Sequence, residues 1–211
     1  MGSVAFRIVS GMSLLVLLAA ATPPAAAGAP VPEVLLESGM VAPLGDLGAD
    51  YGEPLGFGAK LGYQIGFRFR LQFPSGWSVA PSFHYVKPRT RTGDDAVLGE
   101  IETSTSMYRY GVDAQYRLPA RPGAPALFVT GGLAVVRDRL REDDAAGQYF
   151  AESCNALAAA AGVGLRLDRL EFTAQYEVNR FTTNRFWDPR DTGYNWDTIS
   201  LRVGLALPGS F

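Results

Sequence analysis

From Phe57 onward the chain alternates with a period of two. The odd positions read Phe57, Ala59, Leu61, Tyr63, Ile65, Phe67, Phe69, Leu71 and Phe73, and the even ones Gly58, Lys60, Gly62, Gln64, Gly66, Arg68, Arg70 and Gln72. Successive side chains of a β-strand point to opposite faces, so this stretch predicts a strand with one wholly apolar face and one face holding every charge. The pattern returns in Trp77 to Tyr85, Tyr108 to Leu118, Leu157 to Leu167, Leu170 to Asn179 and Thr198 to Leu207. Leu127 to Val136 is a strand of less definite phase, and Val34 to Ala42, the weakest, places Glu37 on its polar face. Pro74 to Gly76, Pro119 to Ala124 and Asp168-Arg169 read as short turns. Leu44 to Pro54, Pro88 to Thr105, Asp138 to Asn155 and Thr182 to Trp196 read as long polar loops. Short connections alternating with long ones predict an all-β, eight-stranded antiparallel up-and-down barrel.

Such a meander must hide its apolar face. A soluble lipocalin-like carrier turns that face inward, whereas a transmembrane barrel turns it outward to lipid. The polar face carries Lys60, Arg68, Arg70, His84, Arg109, Asp113, Arg117, Arg166, Glu171, Glu177 and Arg202, of both signs and interspersed with glycine. These residues are predicted to line the lumen as a charge network, because eight strands enclose only enough space for side chains to fill. The opposite face carries no charge in any clear strand, as expected where a cation at the bilayer midplane costs about 2–4 kcal/mol. Its aromatics gather near strand ends, with Phe73, Trp77 and Tyr116 by the short turns and Phe57, Tyr85, Tyr108 and Phe181 by the long loops. This spacing predicts a transmembrane barrel with two interfacial girdles.

The 211 residues otherwise allow few alternatives. Arg7, the apolar run Ile8 to Ala21 and the small residues Ala25-Ala26-Ala27 predict a signal peptide over 1–27, cleaved to leave 28–211 as the barrel domain. Thr22-Pro23-Pro24 breaks the run too early for a retained anchor helix. A single cysteine, Cys154, precludes an intramolecular disulfide and reads as a bystander thiol in a polar loop. A net charge of −2 without a basic run gives no reason to expect nucleic acid as a partner. No phosphate loop, dinucleotide fingerprint or metal-ligand spacing is present, so no cofactor or metal is expected. The acidic groups Asp94, Asp95, Glu100 and Glu102, and Glu142, Asp143 and Asp144, lack calcium-loop spacing. Trp187, Tyr194 and Trp196 read either as a ligand-gripping patch or as interfacial anchors.

The chain closes on Thr198 to Phe211, TISLRVGLALPGSF, with Val203, Leu205, Leu207 and the terminal Phe211 in alternation. That ending resembles the C-terminal assembly signal of bacterial outer-membrane β-barrels. Gly39-Met40-Val41-Ala42-Pro43-Leu44-Gly45-Asp46 is similar to the G-x-x-x-P-L-G-D opening of the small outer-membrane β-barrel superfamily, which includes OmpA- and OmpX-type and opacity-like barrels. The resemblance implies a Gram-negative outer-membrane protein with both termini periplasmic. Outer-membrane lipid, lipopolysaccharide and the barrel-assembly machinery would be its partners. It further implies a non-enzymatic structural or surface-recognition role carried by extracellular loops, whose ligand is unknown. An OmpW-like narrow pore or hydrophobic-ligand channel is the alternative. An embedded lipid-modifying enzyme would need His84, the one histidine, but the sequence His84-Tyr85-Val86 departs from the His-x-Ser pattern of the deacylase type. Two departures from the barrel pattern stand out. Pro81 predicts a bulge or local break in mid-strand, and Pro208-Gly209 interrupts the final strand.

Overall fold

The computed structural model describes residues 28–49, 58–89, 91–95, 99–121, 124–144, 149–182 and 193–208. The expected signal peptide, Phe57, Trp187 and Phe211 lie outside these ranges. The strands are β1 (Val31–Pro43), β2 (Lys60–Gln72), β3 (Trp77–Arg89), β4 (Arg91–Asp95), β5 (Gly99–Arg117), β6 (Ala126–Asp144), β7 (Tyr149–Leu167), β8 (Leu170–Thr182), β9 (Gly193–Asn195) and β10 (Thr198–Pro208). Eight of them form one antiparallel sheet in the order β10-β1-β2-β3-β5-β6-β7-β8, and β8 pairs back onto β10. The sheet is therefore a closed barrel, which leaves no open edge in the wall. β4 folds against β5, and β9 against β8.

The short turns fall where the alternation breaks. Gly76 adopts φ 88° and donates to the Phe73 carbonyl at 3.1 Å, closing the β2–β3 turn. Asp168, at φ 52°, makes the turn between β7 and β8. The long connections differ from expectation. β5, β6 and β7 each run 19 residues, so much of Pro88 to Thr105 and Asp138 to Asn155 is strand rather than loop. Cys154 accordingly lies within β7, its backbone in register with Asp138. A membrane crossing takes about 9–11 residues, so these strands continue roughly eight residues beyond it.

Proline acts differently from the sequence reading. Pro81 registers with Val112 on β5 without any shift, and on the β2 side the same register holds on either side of it, from Arg68–Ser82 to Leu71–Val79. The register shift occurs instead between Lys60 and Tyr63, beside Lys87 and Pro88. Pro208 remains in the ladder, in register with Glu33.

Candidate functional site

The polarity of the wall follows the alternation. Phe67 is 48% exposed, Leu201 59% and Val203 45%, whereas Arg68 is 1% and Arg202 4% exposed. Oily side chains face outward and ionic ones fill the middle, the inverse of a soluble barrel. On the outer face, Trp77 and Tyr116 stack at 4.8 Å near the short turns. Tyr63, Tyr85 and Tyr108 form a second row toward the long connections, with centroids 6.4 and 5.3 Å apart. Leu205 and Leu207 of the expected assembly signal also lie on the exposed face.

The lumen contains two layers. In the lower layer, Arg68 donates through Nε and Nη2 to Glu37 at 2.9 and 2.8 Å, and through Nη2 to Glu171 at 2.6 Å. Arg70 bridges Glu33, Gln115 and Glu171. Arg166 reaches Glu33 at 2.6 Å, and Arg117 donates to Gln72 at 3.0 Å. Arg109 holds Glu177 at 2.5 Å, Asp113 at 3.0 Å and the Ser82 hydroxyl at 2.9 Å. His84 Nε2 lies 2.8 Å from Glu37, and Arg202 lies 3.7 Å from the same carboxylate and also donates to Gln175. Burying so many charges is tolerable because each cation meets a carboxylate or amide in place of water.

Lys60 is the exception among the expected lumen residues. The shift between Lys60 and Tyr63 puts it opposite Arg89, and it is exposed at the rim. A single extra residue in a ladder exchanges the two faces, so the bulge carries Lys60 out of the lumen. Glu37 points inward, as its place on the polar face of β1 predicts, whereas Glu33 and Asp138 are inward residues absent from the expected network. Glu33 shares parity with Glu37 on β1, which is the signal the sequence offered for it.

The upper layer is apolar, contrary to a uniformly polar interior. Val41, Leu47, Val86, Met107, Val136, Leu140 and Trp196 pack together inside the end bearing the long connections. Trp196 is thus neither a surface patch nor an interfacial anchor. Asp138 sits in this layer, its carboxylate met by the Asn179 amide at 3.3 and 3.5 Å. A void of about 20 Å³ remains between the layers beside Arg109, Arg202 and Val86, room for about one water molecule. A wider concavity of about 690 Å³ lies on the apolar outer wall around Met40, Leu201, Val203, Phe172 and Val163.

The G-x-x-x-P-L-G-D segment closes the seam above this roof. Gly45, at φ 60°, opens a 3-10 turn over Gly45–Leu47, and Asp46 accepts the Asn195 backbone N–H at 2.7 Å. The Leu44 N–H donates to the Asp197 carbonyl at 2.7 Å, while Leu47 drops into the roof.

Residues 12–206 match the outer membrane protein beta-barrel domain family. The chain belongs to that family. This outer-membrane β-barrel resembles the attachment invasion locus protein Ail of Yersinia pestis, with 18% identity, 84% of this chain and 99% of Ail covered, and a TM-score of 0.53. Neisserial surface protein A is similar at 15% identity, with 86% and 99% covered and a TM-score of 0.51. No curated protein matches the chain. At these identities the two structures speak for the fold, a small barrel of the bacterial outer membrane.

Proposed function

We propose that this outer-membrane barrel is a non-enzymatic surface protein with both termini in the periplasm, whose sealed wall supports recognition by its extended outer end. The observation that carries the reading is the length of β5, β6 and β7, whose 19 residues outlast a membrane crossing. With β4 they form a sheet standing roughly 20–25 Å of strand beyond the apolar belt. His84, which a lipid-modifying enzyme would need at its lipid-facing surface, is enclosed by Glu37 and Arg202 in the lumen. The filled lumen also favours this reading over a narrow pore, because an ionic layer below and an apolar roof above leave about 20 Å³ between them.

The test is conductance in a planar bilayer together with protease treatment of intact cells. The expected result is no discrete conductance steps and cleavage confined to the long connections, around 50–57, 96–98, 145–148 and 183–192. Reproducible steps would replace this reading with the pore.

A further inference from the structure

Arg202 is the poorly served cation of the lumen. Arg68, Arg70, Arg109 and Arg166 each hold a carboxylate within 3.0 Å. Arg202 is 4% exposed, yet it approaches Glu37 only to 3.7 Å, and that carboxylate is already engaged by Arg68 and His84. Its Nη1 lies 3.1 Å from His84 Nε2, and its Nη2 donates to the Gln175 side-chain oxygen. Its Nε has no hydrogen-bond partner among the described residues.

The register explains the shortage. Arg202 stands opposite Gly39 on β1, and Gly39 opposite Gln64 on β2, so the three form one row across the wall. In the adjacent row the β1 position is Glu37, which serves Arg68. Gly39, the first residue of the G-x-x-x-P-L-G-D segment, cannot be exchanged for such an acid, because a β-carbon there would run into the Leu201 carbonyl.

Beside this row lies the void of about 20 Å³ between the two layers. Gln64, Gln175 and Arg202 line it, and each has a buried nitrogen, Nε2, Nε2 and Nε, that donates to none of the described residues. The Gln175 amide is oriented by its oxygen, which accepts from Arg202. Thr198 and Ser200 add hydroxyls, able to donate or accept. Glu177 also reaches the lining, and Arg109 Nε neutralises it at 2.5 Å.

Buried donors without acceptors cost free energy, and a buried cation without a counter-charge costs more. A water molecule would accept from the donors but has its own hydrogens to place and brings no charge to Arg202. A small anion answers both needs. We infer that the void binds one monovalent anion of halide type, chloride being the biological member, held by Arg202 Nε and the Gln64 and Gln175 amides. Hydrogen bonds from a guanidinium to an anion are of the strong, charge-assisted kind. Room for about one water molecule excludes sulfate and phosphate. Val86, Met107 and Val136 of the apolar roof shield the site on its outer side, so the anion is a structural component of the barrel. The site is independent of the surface role proposed above.

The full chain is refolded into phosphatidylcholine vesicles in halide-free sodium gluconate and unfolded with urea. Chloride then replaces gluconate at constant ionic strength. The unfolding equilibrium constant should fall saturably, roughly tenfold once chloride reaches about ten times its dissociation constant. Bromide should act alike, and crystals grown in bromide should show its anomalous scattering beside Arg202 Nε. Gln64→Glu gives the row a carboxylate of its own. This variant should keep the heat-dependent electrophoretic mobility of a folded barrel and lose the chloride response. Equal stability in chloride and gluconate overturns the proposal and leaves the void to water. A response of equal size in Gln64→Glu marks a general salt effect and overturns it too. If Gln64→Glu does not fold, the bromide position decides alone, and no anomalous signal in the void sinks the site.

Discussion

Arg68 is clasped by Glu37 through two hydrogen bonds from different nitrogens, 2.9 and 2.8 Å long, with both side chains at 1% exposure. β1 and β2 supply one partner each, from positions that register at Leu35–Arg68 and Glu37–Gly66. Glu171 of β8 completes the set from beyond β10 at 2.6 Å. The pair therefore couples adjacent wall strands and reaches across the lumen.

Removing one member should leave the other's charge only partly compensated in the barrel, Arg68 by Glu171 alone or Glu37 by His84 and Arg202. Arg68→Met is expected to destabilise by about 3–5 kcal/mol, and Glu37→Gln by a comparable amount. Removing both with Arg68→Met and Glu37→Gln should cost much less than the sum, which urea unfolding in phospholipid vesicles would measure as a double-mutant cycle. Additive losses would show that the two side chains do not act as a unit.

Asp138 tests the opposite case. Its carboxylate is buried among Val136, Leu140 and Trp196 with the Asn179 amide beside it and no cation among the described residues in contact. Asp138→Asn keeps the shape and removes the cost of a desolvated charge, so it should raise the unfolding temperature and stabilise by about 1 kcal/mol. A lower unfolding temperature would mean that the carboxylate is served by a partner.

The seam turn depends on a carboxylate and a glycine. Asp46→Ala removes the acceptor of the Asn195 N–H and should cost about 1 kcal/mol, with faster amide exchange at Asn195 as the local readout. Gly45→Ala should cost at least as much, because φ is 60° and a β-carbon would press on Asn195.

The outer wall should reject charge. Leu201→Arg places a cation among Met40, Ala174 and lipid, and should cost about 2–4 kcal/mol if the position lies near the midplane. Comparing it with Ser153→Arg, an exposed polar site on β7 above the tyrosine row, separates lipid exposure from mere outward orientation. Equal tolerance of both would place Leu201 in water.

The barrel was legible because, inside the membrane, one face of each strand meets lipid and the other meets ions. Phe67 beside Arg68 and Leu201 beside Arg202 record that contrast directly in the alternation. Beyond the belt both faces change. Thr103 and Thr105 point inward while Ser104 and Ser106 point outward, and nothing in their hydropathy separates the two sides. The upper halves of β5 to β7 therefore read as loop. The apolar roof was hidden for the same reason, since Val86 and Val136 lie inside, where strict alternation assigns polar residues. Lys60 was misplaced by one bulge, whose marks in the sequence, Gly62 within it and Pro88 opposite, do not stand out in a strand with glycine at several even positions.

β1 and β10 register over eleven positions, from Glu33–Pro208 to Pro43–Thr198. The earliest and latest strands of the domain to emerge during synthesis are thus neighbours, and the Arg166–Glu33 bridge joins residues 133 apart in the chain. A truncated product lacking β10 would offer bare hydrogen-bonding groups on two strands at once, with no intermediate size at which the cylinder could shut. Maturation is therefore all-or-nothing: whatever shelters the nascent chain in transit must hold it until its tail arrives.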